Sequence, residues 1–149
     1  MNVCRSREML HPVLADRVRQ IESEVIARHN MPIRLFETGR TLARQRQLIK
    51  RGRDTTMVSA HVYVPFRYEM VCAVDFVFYD QAWSWNLRDQ RVKRWYQLFG
   101  RLVSDLCPDL TWAGDNVYQQ DYTHFEMPVS RYNWREALKK YLPVIDFEG

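Results

Sequence analysis

Apolar positions near the start of the chain recur at helical spacing. Steps of three or four residues separate Leu10, Leu14, Val18, Ile21 and Val25. Side chains at this spacing share one face of an α-helix. The pattern predicts an amphipathic helix over about residues 12–29. Pro12 suits its first turn, and Asn30 with Pro32 ends it.

The later segments alternate between strand and helix patterns without a strict order. A strand is predicted at 33–36, followed by a helix in TLARQRQLIKRG that Thr41 caps and Gly52 ends. Further strands are predicted at 71–79, 110–113 and 123–127, and further helices at 87–106 and 133–141. Residues 53–70 are predicted to form an irregular loop or a hairpin. This mixture favours an α+β fold, a small antiparallel sheet packed with about four helices.

Composition narrows the class of protein. A chain of 149 residues fits one domain spanning 1–149, and 46% hydrophobic with 27% charged residues excludes a disordered or fibrous protein. The net charge of +4 permits an anionic partner. Its basic residues are scattered among 18 acidic ones, which disfavours a nucleic-acid-binding domain.

Targeting signals and cysteine spacing indicate the compartment. No apolar stretch fits a Sec-type signal peptide or a membrane span, so we expect no membrane insertion. Three cysteines without CxxC spacing indicate neither a disulfide framework nor a thiolate zinc finger. Cys72 is expected to be a small buried residue. We therefore expect a protein made in a reducing cytoplasm.

Two histidines and one aspartate are the candidate chemistry. Asp75 interrupts the apolar strand, and a buried carboxylate must be paired, hydrogen-bonded or metal-bound. His61 precedes that strand, and His124 lies in DYTHFEMP, whose alternation puts His124 and Glu126 on one face. Two histidines and an aspartate on one sheet face would bind zinc and leave a fourth position open, the pattern of a catalytic site. Asp121 or Glu126 is then available as a general base.

The other two histidines are expected to be structural. His11 precedes the proline that opens the first helix, and His29 lies in the last turn of that helix, where a cation favours the helix dipole.

The order of the segments ETGRTLARQRQLIKRGR, SAH, AVDF, LTWAGD and DYTHFE resembles a known family. It is similar to the zinc peptidases of the D-alanyl-D-alanine carboxypeptidase group, in particular the bacteriophage L-alanyl-D-glutamate endopeptidases that act as endolysins. The similarity runs from SREMLHPVL to THFEMP. It implies a small α+β domain that hydrolyses a bond in the stem peptide of peptidoglycan.

The resemblance also implies roles for individual residues. One zinc ion per chain would be held by His61, Asp75 and His124, with Asp121 as the catalytic acid and base. Arg40 would bind or polarise the substrate, and Ser59 would orient the metal site or touch the substrate. Gln45 would contribute local hydrogen bonds.

The biological setting follows from the same resemblance. The first choice of bond is L-alanyl-D-glutamate, and a D-alanyl-D-alanine carboxypeptidase is the alternative. An endolysin would accumulate in the host cytoplasm and reach the wall at lysis, and a monomer is expected. The alternative from another functional class is a non-catalytic, zinc-stabilised virion or wall-binding protein.

Two features depart from the family pattern or stand outside it. The family has the motif SxHxxGxAxD, whereas here His61 and Asp75 are fourteen positions apart without the glycine, which leaves Glu69 as a spare carboxylate ligand.

Two tryptophans, Trp83 and Trp85, lie on either side of Ser84 in the polar stretch DQAWSWNLRD. At least one of these rings is expected at the surface, where it would contact a glycan or peptide, or cap the core.

Overall fold

The computed structural model describes residues 3–53, 59–62, 71–116 and 120–128. Within these residues the chain is α+β, with three α-helices and five short strands. The helices are α1 (Pro12–Gln20), α2 (Leu42–Lys50) and α3 (Gln90–Leu106). The strands are β1 (Ile33–Glu37), β2 (Ala73–Asp80), β3 (Ala82–Ser84), β4 (Thr111–Trp112) and β5 (His124–Glu126). The predicted fold class is confirmed, and the helix predicted at 133–141 lies outside the described residues.

All the paired strands are antiparallel, and β2 is the centre of the sheet. The strand order is β1-β2-β5-β4, with β3 pairing the far end of β2. Asp75 of β2 lies opposite His124 of β5. The sheet therefore brings together two of the three predicted metal ligands by backbone pairing alone.

A shift in register interrupts the pairing of β1 with β2. Leu35 lies opposite Phe76, but Glu37, two residues further on, lies opposite Asp75. The extra residue is Phe36, as in a β-bulge, which re-aims the side chains that follow it. The bulge carries Glu37 to the strand position that faces Asp75.

The two faces of β2 separate core from site, as the alternation predicts. Phe76 packs on Phe99 of α3 and Phe125 of β5, with ring centroids 5.3 and 6.1 Å apart. Asp75 and His124 project from the opposite face, where they meet each other. Helix α3 thus covers one side of the sheet and leaves the other for polar chemistry.

The first helix follows the predicted apolar stripe and changes its hydrogen bonding midway. Helix α1 continues as a π-helical segment, Ile21–Ala27. The buried positions are those of the predicted stripe. His11 caps the helix, because its Nδ1 accepts a hydrogen bond from the Val13 N–H at 3.1 Å. The structural role expected for His11 is confirmed.

Capping side chains set the starts of the other two helices. The Thr41 hydroxyl accepts from the Arg44 N–H, as predicted, and Gly52 follows α2 with a φ of 70°. The Asp89 carboxylate caps α3, so this helix begins at Gln90 rather than near residue 87. Leu106, the last residue of α3, is 38% exposed.

Strand β3 was not predicted from the sequence. The chain reverses at Gln81, which has a φ of 63°, and Trp83 then pairs with Tyr79. Three paired residues, Ala82–Ser84, are too few to show an apolar alternation in the sequence. No helix among the described residues is both long and apolar enough to cross a membrane.

The expectation for Cys72 is confirmed. The side chain lies in the core with 2% exposure, and burial raises the pKa of its thiol to about 12. The thiol is therefore protonated at neutral pH and unsuited to nucleophilic chemistry.

Candidate metal centre

Three ligand atoms converge on the polar face of the sheet. Nε2 of His61 lies 3.2 Å from Nδ1 of His124 and 3.3 Å from Oδ1 of Asp75. Nδ1 of His124 lies 3.2 Å from the same Asp75 oxygen. The three residues predicted as metal ligands therefore form one compact group. The fold brings these residues together although they are far apart along the chain.

Backbone hydrogen bonds hold the His61 segment against the sheet. The Arg40 N–H donates to the His61 carbonyl at 2.6 Å, and the Cys72 N–H donates to the Ala60 carbonyl at 2.9 Å. One bond attaches the segment to the residues after β1, and the other to the residue before β2. The side chains of His61 and Asp75 are therefore adjacent although the two residues are fourteen positions apart in the sequence.

A second partner fixes the ring orientation of each histidine. Nδ1 of His61 donates to the Thr38 carbonyl at 2.7 Å, and Nε2 of His124 donates to Oε1 of Glu126 at 3.1 Å. A ring nitrogen that donates carries the proton, so the other nitrogen presents its lone pair. The remaining nitrogen of each ring points into the group that contains Asp75, where it can donate a proton to the carboxylate or, once deprotonated, offer its lone pair to a metal ion. Metal-binding histidines are held in this way by carbonyl and carboxylate partners.

The geometry suits a small tetrahedral cation. Ligands about 2.0–2.1 Å from a tetrahedral zinc ion are separated from each other by about 3.3–3.4 Å, close to the three distances here. Two imidazole nitrogens and one carboxylate oxygen are a donor set for zinc or a related transition metal, and calcium and magnesium prefer oxygen alone. The residues present therefore fit a zinc ion.

The electrostatics of the group favour a positive charge at its centre. Burial alone would raise the pKa of Asp75, but the charge of His61 and hydrogen bonds from both histidines outweigh it and hold that pKa far below its usual range. Burial lowers the pKa of His124, and hydrogen bonds to Asp75 and Glu126 more than compensate and raise it to about 10. Asp75 is thus an anion that attracts a proton or a metal cation to the site.

Arg40 lies beside Asp75 and ties it to a buried carboxylate. Its Nη2 is 3.4 Å from Oδ2 of Asp75, and its Nε donates to Oε1 of Glu37 at 2.7 Å. Glu37 is 1% exposed and also accepts a hydrogen bond from Nε of Arg44. Gln45, the buried polar residue of α2, accepts from Nη1 of Arg40 at 3.3 Å. The guanidinium therefore supports the Asp75 oxygen that faces away from the histidines.

Asp121 stands outside the ligand group. One of its oxygens accepts hydrogen bonds from the Thr123 N–H at 3.3 Å and from the Thr123 hydroxyl at 3.0 Å. These bonds shape the turn that leads into His124, and the residue itself is exposed. Its predicted role as acid and base stays a prediction.

Ser59 shapes the turn that carries His61. Its hydroxyl accepts from the His61 N–H at 3.3 Å, and its carbonyl accepts from the Val62 N–H at 3.0 Å. These contacts position the backbone of the ligand. Contact of Ser59 with a substrate stays a prediction, and Glu69, the spare carboxylate, lies outside the described residues.

Sequence reasoning missed three supporting groups. The Thr38 carbonyl is a backbone atom, so no side-chain pattern could reveal it. Glu37 falls in a strand, where only the β-bulge turns it toward Asp75. Glu126 was considered only as a possible base, although its position two residues after His124 puts both side chains on one strand face.

Comparison with known proteins identifies a shared fold. The L-Ala D-Glu endopeptidase ChiX of Serratia marcescens superposes with a TM-score of 0.63 and 23% sequence identity over 85% of this chain and 86% of that one. No protein-family model matches the sequence. No curated protein matches it significantly. The α+β arrangement that carries the metal centre is thus the arrangement of a solved endopeptidase.

Proposed function

We propose that this protein is a zinc-dependent peptidase that hydrolyses the L-alanyl-D-glutamate bond in the stem peptide of peptidoglycan. The observation that carries the proposal is the convergence of three ligand atoms, from His61, Asp75 and His124, at tetrahedral ligand spacing. The fold shared with an L-Ala D-Glu endopeptidase supports the choice of bond.

The chain supplies the ligands and their support. A zinc ion held by His61, Asp75 and His124 would act as a Lewis acid that polarises the scissile carbonyl and acidifies water. Thr38 and Glu126 keep the two imidazoles in the ligand tautomer. Arg40 keeps the Asp75 carboxylate in place and adds positive charge beside it.

Proton transfer falls to Asp121 in this proposal. Asp121 would accept a proton from the attacking water and return it to the leaving amine. Its carboxylate stands on the turn that enters β5, three residues before the ligand His124. Arg40 would further stabilise negative charge that develops on the scissile carbonyl oxygen, and Ser59 would contact the substrate at the turn that carries His61.

The setting proposed for this activity is lysis. The protein would accumulate in the cytoplasm of the host cell as a monomer and meet peptidoglycan when the membrane is breached. Its substrate would be the wall peptide, with no role for nucleic acid.

Metal analysis and mass spectrometry of digested murein sacculi test the proposal together. We expect about one zinc ion per chain and new N-terminal glutamate in the digest. Free D-alanine would instead identify a D-alanyl-D-alanine carboxypeptidase with the same site. Asp121→Asn should keep the zinc and lose activity, whereas intact sacculi with zinc-loaded wild type would show a non-catalytic zinc protein.

A further inference from the structure

Four aromatic side chains, Phe36, Tyr79, Trp83 and Trp85, form a continuous cluster that we call the aromatic wall. Trp83 and Trp85 each meet Phe36 edge to face with ring centroids 5.0 Å apart, and Trp83 meets Tyr79 at 4.9 Å. Trp85 is 49% exposed. The expectation that at least one of the two tryptophans reaches the surface is thus confirmed. Packing in the core does not explain the position of the Trp85 ring.

The aromatic wall lies on the same face of the sheet as the metal centre. Tyr79 and Asp75 are both on the polar face of β2, four residues and about 13 Å apart along the strand. Phe36 directly precedes Glu37, the residue opposite Asp75. The rings therefore begin one residue from the site and extend away from it along β2.

A cationic side chain completes this surface. The Arg5 guanidinium lies 5.2 Å from the Phe36 ring centroid and 5.1 Å from that of Trp83. Arg5 is exposed, and a guanidinium group is able to donate hydrogen bonds in a fixed plane. Aromatic faces with a neighbouring donor suit a ligand that has both apolar C–H faces and polar substituents, and a sugar ring is such a ligand.

We propose that the aromatic wall binds the muramyl sugar that carries the stem peptide. The proposal rests on the proposed function. In peptidoglycan, a lactyl group and one alanine separate this sugar from the L-alanyl-D-glutamate bond. With that bond at the metal centre, the sugar lies within reach of rings that begin beside Asp75. With the D-alanyl-D-alanine bond at the metal centre, several more peptide residues would separate the sugar from that bond. The sugar would then lie beyond the aromatic wall.

Trp85→Ala tests the sugar subsite through substrate discrimination. We expect kcat/KM for a disaccharide-bearing stem peptide to fall about tenfold more than kcat/KM for the same peptide without sugar, because stacking on one exposed ring is lost. Trp85→Phe should retain most of the discrimination. Leu98→Ala, an exposed position on α3, should leave it unchanged. Equal losses on both substrates would overturn the proposal.

A binding measurement separates this proposal from the catalytic one. The free disaccharide of N-acetylglucosamine and N-acetylmuramic acid is titrated into zinc-loaded protein while the indole N–H signals are followed by NMR. Saturable shifts of the Trp83 indole N–H in the wild type that disappear in Trp85→Ala support the sugar subsite, and unchanged wild-type spectra overturn it. Failure of the wild type to cleave either substrate would contradict the proposed function, while the titration still decides the subsite.

Discussion

At the scale of single residues, Glu37 supports the candidate metal site although the sequence does not single it out. Its buried carboxylate accepts from the guanidinium groups of Arg40 and Arg44, and Arg40 in turn supports Asp75. One buried carboxylate that balances two partly buried cations cannot be removed without leaving charge unpaired in a medium of low polarity. The order of the candidate metal site therefore depends on a residue that contacts no ligand nitrogen.

Glu37→Gln tests this dependence. Removing one partner of a buried ion pair costs about 3–5 kcal/mol of unfolding free energy, and we expect a loss in this range by urea denaturation. Glu24→Gln is the matched control, because Glu24 pairs with Arg28 at 3.8 Å on the exposed side of the first helix. That change should cost less than about 0.5 kcal/mol. Equal effects of the two variants would contradict the network.

At the scale of elements, α3 and β4 are packed so closely that a glycine is required between them. A Cβ built on Gly100 would overlap the indole of Trp112, which is itself buried against Phe125. The helical pattern of α3 is readable in the sequence, but the need for a glycine in its middle is not. It arises only where the helix crosses β4.

Gly100→Ala should therefore destabilise the protein although alanine is the better helix former. Helix propensity favours alanine by about 1 kcal/mol, and overpacking a rigid site costs about 1–3 kcal/mol or more. We expect a net loss of about 1–2 kcal/mol in thermal unfolding. Ser104→Ala in the same helix gives the propensity effect alone and should be neutral or slightly stabilising. An increase in stability of Gly100→Ala would show that Trp112 can move aside.

At the scale of the whole molecule, a metal ion would connect three separate parts of the chain. His61 comes from the segment after α2, Asp75 from the central strand and His124 from β5. An ion that binds all three binds only the folded state, so it stabilises that state by mass action. Metal content and folding stability should therefore rise together.

Chelation followed by zinc titration tests this coupling. At a free zinc concentration 100 times the dissociation constant, the stabilisation is about 2.7 kcal/mol, which corresponds to a rise in Tm of roughly 5–10 °C for a chain of this size. His124→Ala should abolish the rise while the variant still unfolds cooperatively. An unchanged wild-type Tm would contradict a metal site that links these segments.

The sequence by itself determined the elements other than β3 within the described residues, and the identity of the ligand candidates. Apolar patterning located α1, α3 and β2, because the spacing of buried side chains follows directly from helix and strand geometry. The Thr41 cap and Gly52 located α2. Asp75 was recognisable because a carboxylate in an apolar strand requires a partner.

Only the tertiary structure decided how the site is assembled and supported. The β-bulge at Phe36 turns Glu37 toward Asp75, and the Thr38 carbonyl selects the tautomer of His61. Neither arrangement leaves a side-chain pattern, because both depend on the backbone path and on residues distant along the chain. The hairpin that carries Trp83 was missed for the same reason, since Gln81 reverses the chain in a conformation that no local signal marks.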